Sequence, residues 1–211
     1  MFVSDLEAVN SGTNINFDQD KKFFEEQEAE FNSGSNVFKK KLQQNEWKNN
    51  YKISIHNRKM PDSNVDLFRT EVRYRGLTLE QIHKALVNKP TGQNTPITVF
   101  EVIDTKKSGQ EESFVNYHVW KMPTLTVRDC VGQCYSKLDS DAYFYCMRPI
   151  NHDQYPEKKG TIRMLFYQIY MAKNTVEAGE PILHIVYYSR LDLKGYCPAS
   201  LINLGASNGI H

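Results

Sequence analysis

The sequence has no long apolar run. Nothing in its 211 residues approaches the roughly 18 apolar residues that a membrane-spanning helix needs. Residues 1–10 lack the basic start and apolar stretch of a secretory signal, so none is expected. There is also no excess of one charge. The 26 Lys and Arg stand against 25 Asp and Glu, a net charge of +1, so no basic field points to nucleic acid and no such partner is expected. Cysteine is sparse. Cys130, Cys134, Cys146 and Cys197 have no disulfide-framework spacing. Cys130 and Cys134 fall in a strand pattern that sets them ~13 Å apart, too far for a shared metal or a disulfide. Reduced core thiols in a cytoplasmic protein are the expectation. Catalytic patterns are missing too. His118, His152 and His184 have no Asp or Glu at metal-ligand spacing, and no Ser or Cys sits in the glycine-flanked turn of a nucleophile elbow. Neither enzymatic activity nor a metal or cofactor is expected.

What is present suits a single domain with a sizeable core. Residues 1–16 are rich in Asn, Ser, Gly and Thr, and are expected to be a mobile segment ahead of a domain spanning 17–211. Phe17, Phe24 and Phe31 recur every seven residues, with Phe23 beside the middle one, which predicts a helix over 17–32 ended by Ser-Gly-Ser. Residues 37–47 read as a further helical turn or two. Residues 51–57 alternate as a first strand, and 65–75 as its partner, with Val65, Leu67, Arg69, Glu71, Arg73 and Arg75 outward and Asp66, Phe68, Thr70, Val72 and Tyr74 inward. Thr78-Leu-Glu-Gln81 is a capping box opening a helix over 79–87. Six strands follow over 97–104, 112–121, 126–137, 141–148, 161–173 and 181–192, joined by short turns as a meander. The class is α+β.

The stretch from Asn151 to Asn203 carries the most specific pattern. It holds Tyr155-Pro156 followed by Gly160-Thr-Ile-Arg163, then Asp192-Leu-Lys-Gly195 with Pro198 and Ile202-Asn203; upstream, Pro123 precedes Arg128-Asp129. In this order the motifs resemble those of the lipid-transfer domains related to the steroidogenic acute regulatory protein, the START domains, over residues 47–203. The resemblance implies a helix-grip fold, a curved antiparallel sheet of about nine strands around a C-terminal helix, with N-terminal helices. The loop over 89–96 departs from the family, which has a basic residue and a Trp-Asp pair there. The family's closing helix begins near Pro198. Here Gly205-Ala-Ser-Asn-Gly209 is a poor helix composition, so a short or truncated lid is expected.

The resemblance also implies a site. Asn116, His118 and Trp120 share one strand face, while Thr161, Arg163, Leu165, Tyr167, Ile169 and Met171 share another. Both are expected to wall a cavity. In the phosphatidylcholine-carrying members Tyr167 falls on a tyrosine of the choline cage, His118 on its tryptophan and Cys130 on another aromatic. The arginine of the acid–base pair buried by sterol carriers falls on Cys134. Arg163 has the planar fork to hold a lipid phosphate. Arg128 and Asp129 point to opposite faces and are expected to anchor neighbouring segments rather than pair. The candidate lipid contacts are therefore Asn116, His118, Trp120, Cys130, Arg163, Tyr167 and Ile169.

The implied function is binding of one lipid, a phospholipid rather than a sterol, and its transfer between membranes by a cytoplasmic monomer in passing contact with a membrane surface. Exchange would follow opening of the lid. Two alternatives stay open, because a fold does not fix a function. An enzyme on the same architecture needs a titratable pair facing the cavity, such as His118 with Glu71. An interaction module would have its cavity filled by its own side chains.

Overall fold

The computed structural model describes residues 17–60, 65–87, 96–121 and 125–195. The expected mobile segment 1–16, the loop that departs from the family and the lid after Pro198 lie outside the described residues, apart from Pro96 at the end of that loop.

Helix α1 spans Phe17–Asn32, as the phenylalanine spacing predicts. It ends where Ser33 N–H bonds Ala29 O and Gly34 takes a positive φ of 74°, a conformation glycine adopts without strain. Its apolar stripe docks on the sheet. Phe23 and Phe24 are both buried, and Phe24 meets Tyr188 edge-on at 5.5 Å. Each such ring contributes about 1.5–3 kcal/mol by leaving water.

The segment read as further helix is a strand. β1 (Lys39–Lys48) pairs antiparallel with β2 (Tyr51–Arg58). Only Leu42 and Trp47 are apolar in β1, too few for a helical stripe, while Asn49 and Asn50 both take positive φ (51° and 67°). Two residues in that conformation close the tight hairpin whose twist matches antiparallel strands.

The other strands are β3 (Leu67–Arg75), β4 (Ile97–Ser108), β5 (Glu111–Trp120), β6 (Arg128–Leu138), β7 (Ala142–Pro149), β8 (Ile162–Arg163), β9 (Leu165–Glu177) and β10 (Glu180–Asp192). They form one curved sheet ordered β1-β2-β3-β10-β9-β7-β6-β5-β4, antiparallel except that β8 lies parallel to β6. The single strand expected over 161–173 is thus broken at the fully buried Met164: β8 pairs with β6, and β9 continues between β7 and β10. Between β3 and β4 runs helix α2 (Leu79–Val87), opened by the predicted capping box: Thr78 N–H donates to Gln81 Oε1 (2.9 Å) and Gln81 N–H to Thr78 Oγ1 (3.3 Å).

The helices lie on opposite faces of the sheet. α2 packs Leu79 with Phe114, Tyr143, Tyr145, Met147 and Phe166 on the inner face. α1 packs Phe23 and Phe24 with Phe144, Tyr167, Ile169 and Tyr188 on the outer face. The outer face of β3 therefore differs from the polar, solvated one expected. Arg69 is 2% exposed because α1 covers it and supplies Glu28 as its partner at 2.7 and 3.1 Å.

Candidate functional site

Strand β5 supplies the site's long side. With side chains alternating, Phe114, Asn116, His118 and Trp120 all face inward. Antiparallel register sets Asn116 opposite Gly132, His118 opposite Cys130 and Trp120 opposite Arg128 on β6. Sequence reading placed Asn116, His118, Trp120 and Cys130 at the ligand, and the structure brings these four together. β9 adds Phe166, Gln168 and Tyr170, and β10 adds Ile185 and Tyr187.

Much of this wall is aromatic. Trp120 meets Phe166 edge-on at 6.1 Å, Tyr170 stacks on Tyr187 at 4.7 Å, and Phe100 of β4 stacks on His118 at 4.7 Å. Its floor is polar but uncharged. Tyr170 hydroxyl donates to Gln168 Oε1 at 3.1 Å. The amides of Gln168 and Asn116 both point their nitrogens at Met147 sulfur, at 3.6 and 3.8 Å. Gly132 makes this convergence possible: a Cβ there would lie 2.8 Å from Asn116 Oδ1 and collide with the Met147 side chain.

Several polar atoms of the wall are buried without a hydrogen-bond partner among the described residues. They are Asn116 Oδ1, both ring nitrogens of His118 and Trp120 Nε1. Asn116 is 1% and His118 5% exposed. Burial pushes the His118 imidazole down to about 4, so it is neutral at physiological pH. Burial likewise pushes the Cys130 thiol up to about 12, so it stays protonated and contributes as a small apolar group.

Three of the seven candidate contacts lie elsewhere. Tyr167 and Ile169 face outward beneath α1, where Phe23 meets the Tyr167 ring edge-on at 6.0 Å and Asp20 accepts from its hydroxyl at 3.4 Å. The inward phase of β9 is the alternate one, Phe166-Gln168-Tyr170. Arg163 clamps Asp129 with two bonds (2.8 and 3.2 Å) and donates to Tyr155 O at 2.8 Å, so its fork is already occupied by protein. The shared wall expected for Arg163, Tyr167 and Ile169 with Trp120 is thereby corrected. Neither residue of the Arg128-Asp129 pair bonds the other. Arg128 reaches the carbonyls of Leu193 (3.2 Å) and Thr126, and Asp129 holds Arg163, as the anchoring role predicts.

Sequence reading missed Gln168, Tyr170, Phe166 and Met147. The available signal was Gln168, an uncharged amide set in the otherwise apolar run 165–172. The pair given as an example for an enzyme, His118 with Glu71, does not form. Glu71 faces the α1 side, where a hydrogen bond from His184 (3.0 Å) and the Arg69 guanidinium hold its carboxyl well below the usual range. Among the described residues no cluster of His, Cys, Asp and Glu could hold a metal ion, and no helix is long and apolar enough to cross a membrane.

Comparison of the chain with known protein families finds no match, and no characterised protein matches it by sequence. Solved structures do match. Human STARD10 superposes with a TM-score of 0.73 at 16% identity, over 94% of this chain and 76% of that one. Human StAR-related lipid transfer protein 5 gives 0.63 at 18% identity, over 90% and 89%. A STAR-related lipid transfer protein from Xanthomonas axonopodis gives 0.57 at 18%, over 82% and 92%. At these identities the likeness is one of fold.

Proposed function

We propose that this chain, which has the fold of the START domains, holds a single lipid against the inner face of its sheet and carries it between membranes. The observation that carries the reading is the β5 row. Asn116, His118 and Trp120 present buried polar atoms with no partner among the described residues, inside an aromatic wall. Buried polar groups are ordinarily hydrogen-bonded, and a lipid supplies both the polar end and the apolar length that such a wall fits. Shielding its chains from water contributes ~25 cal/mol per Å² of apolar surface. The contacts proposed are Asn116, His118, Trp120 and Cys130, with Phe166, Gln168 and Tyr170 opposite.

A phospholipid fits this row better than a sterol. From Asn116 to Trp120 the strand runs ~13 Å. A sterol offers one hydroxyl at one end, whereas a phospholipid spreads ester carbonyls, phosphate and headgroup over a comparable length. The residue matching the sterol carriers' arginine, Cys134, is buried and lies 3.3 Å from Tyr145 hydroxyl. We place the protein in the cytoplasm as a monomer touching membranes transiently.

The test is to strip the protein of lipid and mix it with donor and acceptor vesicles containing phosphatidylcholine, phosphatidylethanolamine and cholesterol. The reading expects one phospholipid per chain by native mass spectrometry and phospholipid movement between vesicles. Tight cholesterol uptake without phospholipid exchange would reverse the ligand preference. Binding of no lipid at all would end the proposal.

A further inference from the structure

The unpartnered atoms of β5 differ in kind, and their kinds define a complement. Trp120 Nε1 is a donor only. The neutral His118 ring has one donor and one acceptor. Asn116 turns its amide nitrogen towards Met147 sulfur and leaves Oδ1 an acceptor. The row thus lacks partners for two donors and two acceptors. The phosphate and ester oxygens of any phospholipid accept, and so answer the two donors. Nothing in a choline headgroup donates, because its nitrogen is quaternary. A choline lipid therefore leaves Asn116 Oδ1 and one His118 nitrogen unanswered in a buried site.

Resting on the lipid-binding reading above, we infer that the bound phospholipid carries N–H donors in its headgroup, and that Asn116 and His118 select for them. The charged side chain beside the row, Arg128 opposite Trp120, is committed to the carbonyls of Leu193 and Thr126. His118 stays neutral under Phe100, and Asn116 sits over Gly132, where the absent Cβ leaves room for its own Oδ1 beside the Met147 side chain. Discrimination then comes from donor count rather than from charge. Buried acceptors left unanswered are what give hydrogen-bonding sites their power to reject analogues lacking the matching group.

A methylation series isolates that variable. Phosphatidylethanolamine and its mono-, di- and trimethylated forms share acyl chains, phosphate and positive charge, while their N–H donors fall from three to none. Each lipid, labelled and at trace level, is placed in vesicles of unlabelled phosphatidylcholine with the full chain. The label recovered on the protein is compared with its share in the vesicle. We expect phosphatidylethanolamine to be enriched about tenfold, the ratio that 1.4 kcal/mol supports at 25 °C, with enrichment falling along the series to one for the trimethylated form. Asn116→Leu, similar in volume and without the acceptor, should bring the enrichment of phosphatidylethanolamine towards one. Equal uptake across the wild-type series would overturn the inference and mean that water answers the row. Preference for the trimethylated lipid would overturn it too. Recovery of no lipid in any arm would instead overturn the lipid-binding reading, and the inference with it. The wild-type series decides the matter even if Asn116→Leu fails to fold.

Discussion

Replacing Asp20 with Ala probes the joint that fixes α1 on the outer face. Asp20 is fully buried. Its carboxylate accepts from Arg148 Nε at 2.9 and 3.1 Å, from Arg148 Nη2 at 2.6 Å and from Tyr167 hydroxyl at 3.4 Å. Removing one partner of a buried pair strands the other charge, at a cost of ~3–5 kcal/mol when both are fully buried. The Arg148 side chain is 26% exposed, so water recovers part of that loss. The lower end, about 3 kcal/mol, is the expected destabilisation. For a domain of this size, each kcal/mol moves the melting temperature by roughly 2–4 °C, so Asp20→Ala should melt about 6–12 °C lower. Thermal denaturation followed by circular dichroism reads the shift, and Arg148→Met combined with Asp20→Ala should recover part of it by removing the charge that has lost its carboxylate. A fall of less than about 2 °C, with no recovery in the double variant, would refute the view that this ion pair docks α1.

The remaining predictions concern the inner face. His118 has its folded-state pKa near 4, below the ordinary 6.5, so between those values the unfolded chain binds a proton that the folded chain does not. Stability should therefore fall as pH drops from 6.5 towards 4, by up to about 3 kcal/mol from this group. His118→Gln should show a shallower loss over the same window in urea titrations, and an unchanged slope would contradict the assignment. Gly132→Ala should destabilise by about 1–3 kcal/mol through overpacking against Asn116 and Met147, and should weaken lipid uptake beyond that loss because Asn116 is displaced. Normal uptake in a stable Gly132→Ala protein would show that Asn116 does not meet the ligand.

How much of this was legible depended on how one-sided each segment is. The α1 stripe and the capping box at Thr78 each declare themselves in sequence, because the one has a single buried face and the other follows a local hydrogen-bond rule. β1 does not. Its Lys- and Gln-rich run buries little, and only the pair of asparagines at the turn marks a hairpin. β9 is harder still, since Phe166, Tyr167, Gln168 and Ile169 are all buried. With both faces covered there is no alternation to fix the phase, and a shift of one residue exchanges the ligand wall for the surface beneath α1. Arg163 and Asp129 lie 34 residues apart in sequence, so their clamp follows from the parallel pairing of β8 with β6, which no local signal announces.

The central claim is that a lipid lies against the inner face and not beneath α1. Vesicle-to-vesicle phospholipid transfer by Trp120→Leu and Tyr167→Leu, each corrected for the fraction folded, separates the two faces. The account predicts that Trp120→Leu transfers at least about tenfold more slowly than the wild type, as expected when a ligand-wall contact contributing roughly 1.4 kcal/mol is lost. Tyr167→Leu should lower the melting temperature yet transfer normally per folded molecule. Normal transfer by Trp120→Leu together with impaired transfer by folded Tyr167→Leu would contradict it.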